Sequence, residues 1–565
     1  MIDPITLEVL RHRFFAIAEE MGAALFRTSY STTVKFRRDA SCAVFDRNGD
    51  TIAQAAHIPI HLGVLASSVK GALKYIKAKD LQPGDAIIQN DPYIGGSHLP
   101  DVTVFSPVFY GSELLGFVGN IAHHIDLGGM VPGSVGPDST EIFQEGLRIP
   151  PMKLIRAGNW NEDLVLLHQY NVRTPYEGLG DLRAQVAANN VGERRFIELC
   201  DEIGKEMIFK GITALADYCE RRMQSELSHF PDGTYSFVDI LEGDGITNDP
   251  ISIAVNLKIE NGKILIDFQG SSPQSRGPVN AVRAMTMACV FYVVKAITDP
   301  TIPPNVGTFR CIDVKMPESS IVNASFPAPT GQGNTNTTQR IVDALLGAFA
   351  QAVPDRVCAA CTGSMNALHL NVFDTKTRSY NTYIETCGGG YGATSTSDGE
   401  SGIHTHMTNT LNTPIEVLES TMPVKLESYG LIPDSEGPGC NRGGLGIIRE
   451  FLVEADELDG IISSERNKNG PWGLFGGGPA RGTRFRIVRD KGQVEELSSK
   501  CRFFLKKGEK FILETAGGGG WGNPQSRSRS QVQEDVLEGI ISLDRARSVY
   551  GLESPENGKE RTRDT

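Results

Sequence analysis

Residues 86–126, AIIQNDPYIGGSHLPDVTVFSPVFYGSELLGFVGNIAHHID, combine three short apolar runs with a cluster of ionisable side chains. The runs predict β-strands and lie at Ala86–Ile88, Val102–Phe105 and Leu115–Val118. The cluster has three imidazoles and three carboxylates, although His accounts for only 11 of 565 residues: Asp91, His98, Asp101, His123, His124 and Asp126. Such a mixture suits a borderline divalent ion such as zinc or manganese. The stretch therefore predicts a metal site on a β scaffold.

The sequence around this stretch alternates between long helical patterns and short strands. Asp3 and Pro4 are typical of a helix start, and apolar residues then recur at helical spacing as far as Leu25. Asn48-Gly49 and Asn261-Gly262 each separate two alternating apolar runs, which predicts two hairpins. We therefore predict an α+β fold, that is, a multi-domain mixed α/β protein with antiparallel β-rich segments and long helices.

A length of 565 residues exceeds what one ordinary core accommodates, so several domains are expected. Changes in pattern and composition divide the chain into four segments. They are an N-terminal metal-site domain at 1–177, a helical segment with a β-hairpin domain at 178–330, a Gly-rich α/β C-terminal domain at 331–550, and a disordered tail at 551–565.

Composition excludes several classes of function. The formal net charge of −13 disfavours binding to nucleic acid or to an anionic membrane. No run of eighteen apolar residues occurs, so no transmembrane span is expected. The 10 cysteines have no framework spacing and the N-terminus has no leader pattern, which together predict a cytoplasmic protein. Cys358 and Cys361 form the only CxxC, and with no His beside them in sequence we interpret them as buried thiols.

The spacing of three residues predicts the metal ligands. Two residues, one of them a proline, separate His98 from Asp101, which suits a turn that directs both side chains to one point. His123 follows the next strand, so a hairpin could return it to the same place. We predict His98, Asp101 and His123 as ligands and Asp39 as the fourth. The alternative is that these histidines are ordinary hydrogen-bonded loop residues.

Four further residues are predicted to bind substrate around this site: Asp91, His57, His61 and His404. No cofactor-binding motif is found in this chain, because no GxxxxGK[ST] phosphate loop occurs. The glycine-rich runs near 388 and 517 are interpreted as tight turns. The segment 330–336 precedes a predicted helix and could present backbone N–H groups to an anion. No GxSxG nucleophile elbow is present.

Several motifs together resemble the hydantoinase B/oxoprolinase family. The similarity extends over about residues 2–550, and the motifs that carry it lie at 36–43, 90–93, 96–101, 122–129, 442–446 and 517–524. The resemblance implies the metal ligands His98, Asp101 and His123, with Asp39 carried over less directly. It also implies that ATP is bound by a partner subunit, an ATPase of the hydantoinase A type, in an A2B2 heterotetramer.

The resemblance implies ATP-dependent hydrolysis of a cyclic amide such as a hydantoin, 5-oxoproline or a lactam. The partner phosphorylates the amide oxygen, and this chain provides zinc, manganese or iron for the attack of water. Asp126 or His124 would be the general base. The first alternative is a subunit of a ketone carboxylase of the acetone or acetophenone type, although those subunits tend to be longer. The second is a non-catalytic scaffold for the ATPase subunit.

Overall fold

The computed structural model describes residues 2–552, which contain eleven α-helices and twenty β-strands. Most neighbouring strands are antiparallel, which confirms the predicted α+β class. The predicted tail, apart from residues 551 and 552, lies outside the described residues. The helices are α1 (Pro4–Thr28), α2 (Thr32–Lys35), α3 (His61–Ala72), α4 (Glu162–Asn171), α5 (Pro175–Ile203), α6 (Lys205–Leu227), α7 (Arg283–Ile297), α8 (Thr338–Phe349), α9 (Ile415–Thr421), α10 (Arg529–Leu537) and α11 (Leu543–Ser548).

The first sheet contains the three predicted strands and has the order β2-β1-β5-β4-β3-β6-β7. Its members are β1 (Ala40–Asp46), β2 (Thr51–Gln54), β3 (Ala86–Gln89), β4 (Asp101–Tyr110), β5 (Glu113–His123), β6 (Met152–Arg156) and β7 (Asn159–Trp160). Both faces are covered because successive side chains point to opposite sides. Val44 and Val118 pack with α1 and α5, whereas Phe45 and Phe117 pack with α3.

The second sheet has the order β11-β10-β9-β8. Its members are β8 (Gly233–Leu241), β9 (Ile251–Glu260), β10 (Lys263–Asp267) and β11 (Ile312–Lys315). The predicted hairpin is β9–β10, and both turn residues have positive φ, 51° at Asn261 and 70° at Gly262. Positive φ at both positions matches the twist of the flanking strands, which explains why Asn-Gly occurs there.

Two further antiparallel sheets form the last part of the described chain. The third has the order β13-β12-β16-β19 and the fourth the order β14-β15-β20-β17-β18. An apolar cluster that includes Leu368, Phe451 and Phe485 joins them. Their strands are β12 (Ala367–Asp374), β13 (Ser379–Thr386), β14 (Val424–Leu431), β15 (Ile447–Val453), β16 (Glu457–Ser463), β17 (Arg484–Val488), β18 (Val494–Leu497), β19 (Lys500–Lys506) and β20 (Lys510–Glu514).

The glycine-rich runs lie where backbones approach each other closely. A Cβ at Gly390 would stand 2.2 Å from the carbonyl oxygen of Gly444 and 2.2 Å from the nitrogen of Gly518. Side chains cannot occupy such gaps, so these glycines serve packing between loops.

The largest apolar core combines residues from three of the predicted segments, among them Phe105, Ile253 and Ile341. The segments therefore share one core, and the predicted boundaries between them stay predictions. Within residues 2–552, none of the helices has the length and apolar character needed to cross a membrane.

Candidate metal centre

His98, Asp101 and His123 meet at one end of the first sheet. Asp101 begins β4 and His123 ends β5, and the two residues are directly opposite in the antiparallel register. His98 lies on the preceding turn, where its carbonyl accepts a 3.1 Å hydrogen bond from the Asp101 N–H. The β4–β5 hairpin therefore returns His123 to the turn, as the spacing predicts.

The three side chains place their ligand atoms around a common point. His98 Nε2 lies 3.2 Å from Asp101 Oδ1, His123 Nδ1 lies 3.1 Å from the same oxygen, and the two nitrogens are 3.2 Å apart. Donor atoms about 2.1 Å from one ion are about 3.0 Å apart at right angles and about 3.4 Å apart at tetrahedral angles. All three residues are buried. Their arrangement therefore fits a divalent ion.

The surroundings of Asp101 favour the ionised form of its carboxyl group. Burial opposes ionisation of the carboxyl, but His98 and His123 together hold the pKa of Asp101 well below its usual range. His61 adds a further contact, since its Nε2 is 3.9 Å from Asp101 Oδ2. A carboxylate is therefore available as a ligand near neutral pH.

A backbone loop orients the His98 ring. Nδ1 of His98 lies 3.0 Å from the Gly331 carbonyl oxygen, so Nδ1 carries an N–H, and the neutral ring has its lone pair at Nε2. The loop is held by Glu145, whose carboxylate accepts hydrogen bonds of 3.0 and 2.8 Å from the N–H groups of Thr330 and Gly331. Burial raises the pKa of Glu145 to about 7. Glu145 therefore supports a metal ligand through the Gly331 peptide.

We expect Glu145→Gln to weaken metal binding about 10–100-fold, the usual cost of losing support behind a ligand. The amide has one acceptor oxygen where the carboxylate has two, so one backbone N–H loses its partner. Metal titration of the purified chain measures the effect. Glu162→Gln, on the exposed first turn of α4, is the control. Equal affinities for the two variants would contradict the role of Glu145.

Two of the three residues, His98 and His123, line a small cavity of about 30 Å³. That volume accommodates about two water-sized groups, so a ring substrate enters only if the cavity enlarges. Other parts of the chain contribute its remaining polar lining, which is Arg37, Asp39, Asn334, Thr335, His369, Thr386 and Thr408.

Asn334 is a neighbour of the ligands that the sequence did not single out. Its Nδ2 lies 3.2 Å from His98 Nε2 and 3.4 Å from Asp101 Oδ2, and its Oδ1 is buried without a hydrogen-bond partner among the described residues. Exchanging the amide oxygen and nitrogen would direct the oxygen towards the ligands. Asn334 lies on a π-helical turn, Gly333–Thr337, a feature common at functional sites. The only sequence signal was the glycine-rich segment 330–336.

Arg37 brings a buried positive charge to the cavity. Its guanidinium donates to the Ile384 carbonyl at 3.0 Å, to Thr386 Oγ1 at 3.1 Å and to Asp39 Oδ2 at 3.3 Å. Asp39 thus lies at the cavity beside Arg37, but outside the group of three whose ligand atoms converge. Its place as a fourth ligand stays a prediction.

His369, on β12, also lines the cavity and was missed by the sequence reasoning. Burial lowers its pKa to about 3, and its Nδ1 has no hydrogen-bond partner within residues 2–552. A single His within a strand pattern carries no signal of its own, because its position depends on how the third sheet packs against the first.

The four predicted substrate-binding residues lie at different distances from the ligands. His61 is adjacent, and its Nδ1 pairs with Ser41 Oγ at 2.9 Å. His57 lines larger pockets outside this cavity and accepts a hydrogen bond from the Cys42 N–H. His404 and Asp91 lie outside its lining: His404 is 3.5 Å from Thr410 Oγ1, and Asp91 accepts from Tyr93 N and Arg148 Nε. Substrate binding by these four stays a prediction.

The two predicted general bases also lie outside the cavity lining. His124 follows His123, so it points to the opposite face, where its Nε2 is 3.0 Å from Gln185 Oε1. Asp126 accepts backbone hydrogen bonds from Gly128, Gly133 and Arg173. These bonds use both carboxylate oxygens to shape the loop that follows β5. A catalytic role for either residue stays a prediction.

Comparison with known proteins gives one family. A family model described as hydantoinase B/oxoprolinase matches residues 3–524. A protein of Methanocaldococcus jannaschii is 41% identical over 97% of this chain and 96% of its own length. A Pseudomonas protein named as a D-/L-hydantoinase subunit is 32% identical over 98% of this chain and 95% of its own length. The 5-oxoprolinase 1 of Arabidopsis thaliana is 36% identical over 92% of this chain, but the match covers only 42% of that protein.

Two solved structures have the same fold. An ATP-dependent caprolactamase from Pseudomonas jessenii superposes with a TM-score of 0.90, at 31% identity, over 99% of this chain and 98% of the other. A nucleotide-free acetone carboxylase chain superposes with a TM-score of 0.91 over 98% of this chain and 80% of the other, at 20% identity. The second similarity concerns the fold alone.

Proposed function

Since this chain belongs to the hydantoinase B/oxoprolinase family, we propose that it is the metal-bearing subunit of an ATP-dependent cyclic-amide hydrolase. The substrate class is a hydantoin, 5-oxoproline or a lactam. ATP is bound by a partner, a hydantoinase A-type ATPase subunit, in an A2B2 assembly. The observation that carries the proposal is the convergence of His98, Asp101 and His123 at a buried cavity.

Amide resonance makes the ring carbonyl a poor electrophile, and phosphorylation of its oxygen on the partner removes that resonance. A zinc, manganese or iron ion held here would supply Lewis acidity and would make water a better nucleophile near neutral pH. In this chain, His98 and His123 would hold the ion through ring nitrogens and Asp101 through a carboxylate oxygen. Glu145 and Gly331 keep the His98 ring in the required tautomer.

Arg37 is proposed to bind the anionic part of the activated substrate. A guanidinium recognises phosphoryl and carboxylate groups through several donors, and burial strengthens that interaction. For proton transfer, Asp39 and His369 are better placed than Asp126 and His124, because only the first pair lines the cavity. Asp39 also pairs with Arg37, so both residues would respond to an arriving anion.

The alternative proposal is a subunit of an ATP-dependent ketone carboxylase. The likeness to the acetone carboxylase chain supports it, but at 20% identity that likeness extends to the fold only. The caprolactamase is 31% identical and is matched over nearly its whole length. The hydrolase is therefore the preferred function.

The test is turnover by the chain co-purified with its A-type partner. ATP is supplied with hydantoin, 5-oxoproline or caprolactam, and both ADP and the ring-opened acid are measured. We expect ring opening of at least one compound, and loss of at least about 100-fold in Arg37→Met, as when a transition-state donor is removed. Arg38→Met, at the exposed neighbouring residue, is the matched control.

Product formed from acetone only when bicarbonate is present would favour the carboxylase. Ring opening at the wild-type rate by Arg37→Met would exclude the role of Arg37 but leave the hydrolase in place. No turnover of any compound, with metal and ATP bound, would leave the scaffold alternative.

A further inference from the structure

A second cluster of buried ligand atoms lies away from the cavity. Cys358, Cys361 and His406 place one ligand atom each within 4.8 Å of one another, and all three are buried. The cysteines lie between α8 and β12, and His406 lies in the loop between β13 and α9. The sequence interpretation of Cys358 and Cys361 as thiols without a nearby histidine was therefore incomplete, because the fold brings His406 to them.

Two polar atoms at this cluster contact only each other. His406 Nε2 and Asp343 Oδ1 are both buried, lie 3.5 Å apart, and make no other hydrogen bond among the described residues. That separation is long for a direct hydrogen bond, but it is close to the spacing of about 3.4 Å between two donors on one tetrahedral ion. The other oxygen of Asp343 accepts from Arg466 at 2.8 Å, so its negative charge is already balanced.

The histidine is oriented for coordination. His406 Nδ1 lies 3.4 Å from the Tyr292 hydroxyl, which can accept from or donate to it; coordination through Nε2 requires the tautomer in which Nδ1 donates to that hydroxyl. Its backbone has a φ of 51°, in the left-handed region that residues other than glycine rarely adopt. Such a conformation persists only where surrounding contacts impose it.

We propose that Cys358, Cys361 and His406 bind a structural zinc ion, with Asp343 as the fourth ligand; Asp343 contacts His406 but lies outside the group of three whose ligand atoms converge. A C-x2-C pair with one imidazole and one carboxylate is a tetrahedral zinc donor set, and four protein ligands leave no open position. Two thiolates neutralise the ion, so no net charge is added to the interior. The soft sulfur ligands also give this site a different metal preference from the first site. The nitrogen and oxygen ligands of the first site accept manganese or iron as well as zinc.

The ion would hold in place the loop between β13 and α9, which contains His406 and borders the first cavity. Thr405, beside His406, accepts a 2.9 Å hydrogen bond from Gln339 through its carbonyl. The Met407 carbonyl accepts from the Ile60 N–H at 3.1 Å, and Thr408 lines the cavity itself. A disulfide between the cysteines would restrain this loop less, because it would leave His406 outside the cross-link.

Metal analysis of the full chain tests the site. Zinc per chain is measured in wild type, in Cys358→Ser/Cys361→Ser and in Cys200→Ser/Cys289→Ser, a control that changes two buried thiols elsewhere. We expect the first double variant to lack one zinc that the wild type and the control retain. His98→Ala/His123→Ala should keep that zinc, so the outcome is independent of the proposed function. As much zinc in Cys358→Ser/Cys361→Ser as in the wild type would overturn the proposal.

A second measurement needs no cysteine variant to fold. Growth with cobalt replaces zinc, and thiolate ligands give cobalt an intense charge-transfer absorption in the near ultraviolet. We expect this band in folded wild type and in His98→Ala/His123→Ala. A folded, cobalt-loaded chain without the band, or a disulfide between Cys358 and Cys361 detected by mass spectrometry, would exclude the zinc site.

Discussion

Replacing His98 by alanine is expected to remove the ion from the first site and to reduce turnover at least about 100-fold. Loss of a residue that only supports a metal ligand typically costs 10–100-fold, so loss of a ligand should cost at least the upper value. The neighbouring donors fit the position of His98 less well, because Asn334 offers a weakly binding amide and His61 Nε2 lies 3.9 Å from the other oxygen of Asp101. Metal content and ring opening with the partner subunit are the measurements.

The control for this variant is His229→Ala, on the exposed turn after α6. It removes an imidazole without touching the cavity, so metal content and turnover should match the wild type. The double variant His98→Ala/His123→Ala tests the catalytic interpretation most severely. If it is free of metal at the first site and still turns over at the wild-type rate, the chain acts as a scaffold.

The convergence of His98, Asp101 and His123 was predictable because the contacts among them are local. Asp101 and His123 lie on adjacent strands of one hairpin, and His98 lies on the turn before it. The prediction of His123 depended on the strand register, since a shift of one residue reverses the face of a strand. The observed register places His123 directly opposite Asp101.

The remaining lining was not predictable because it depends on packing between distant segments. Gly331, Asn334 and His369 reach the ligands from more than 200 residues along the chain. The hydrophobic pattern within a single strand or loop does not indicate a contact with a distant segment. His406 illustrates the same limit: its position beside the CxxC follows from the loop after β13, and nothing in the local sequence of either segment indicates it.

The fold class, in contrast, followed from local signals. Both residues of the Asn261-Gly262 turn have positive φ, and so does Gly49 in the Asn48-Gly49 turn, a conformation that glycine and asparagine tolerate best, so each sequence favours a hairpin. The signal for the start of helix α1 at Asp3 is equally local, since the Asp3 carboxylate accepts hydrogen bonds from the N–H groups of Ile5 and Thr6. Features that depend on a few neighbouring residues can be predicted from sequence, whereas the assembly of four sheets into one body cannot.

Replacing Arg449 by methionine is expected to lower the free energy of unfolding by about 3–5 kcal/mol, the usual cost of leaving one member of a buried ion pair without its partner. Arg449 on β15 contacts Glu385 on β13, and both side chains are fully buried, so the pair connects the third and fourth sheets. Burial opposes ionisation of Glu385, but Arg449 lowers its pKa below the ordinary value. Without the guanidinium, the carboxylate must either remain as an isolated buried charge or take up a proton.

Urea unfolding of the full chain measures this change, and two further variants separate the ion pair from loss of volume. Arg449→Met/Glu385→Gln removes both charges, so it should recover part of the lost stability, since no buried charge remains unpaired.

Arg484→Met is the matched exposed control. Arg484 and Glu496 pair on the surface, with side chains 48% and 51% exposed, and such pairs contribute about 0–1 kcal/mol. A loss in Arg449→Met no larger than in Arg484→Met would show that the buried pair contributes little. A double variant less stable than Arg449→Met would attribute the loss to packing around the guanidinium, which lies 4.8 Å from the Tyr429 ring and 5.0 Å from the Phe451 ring.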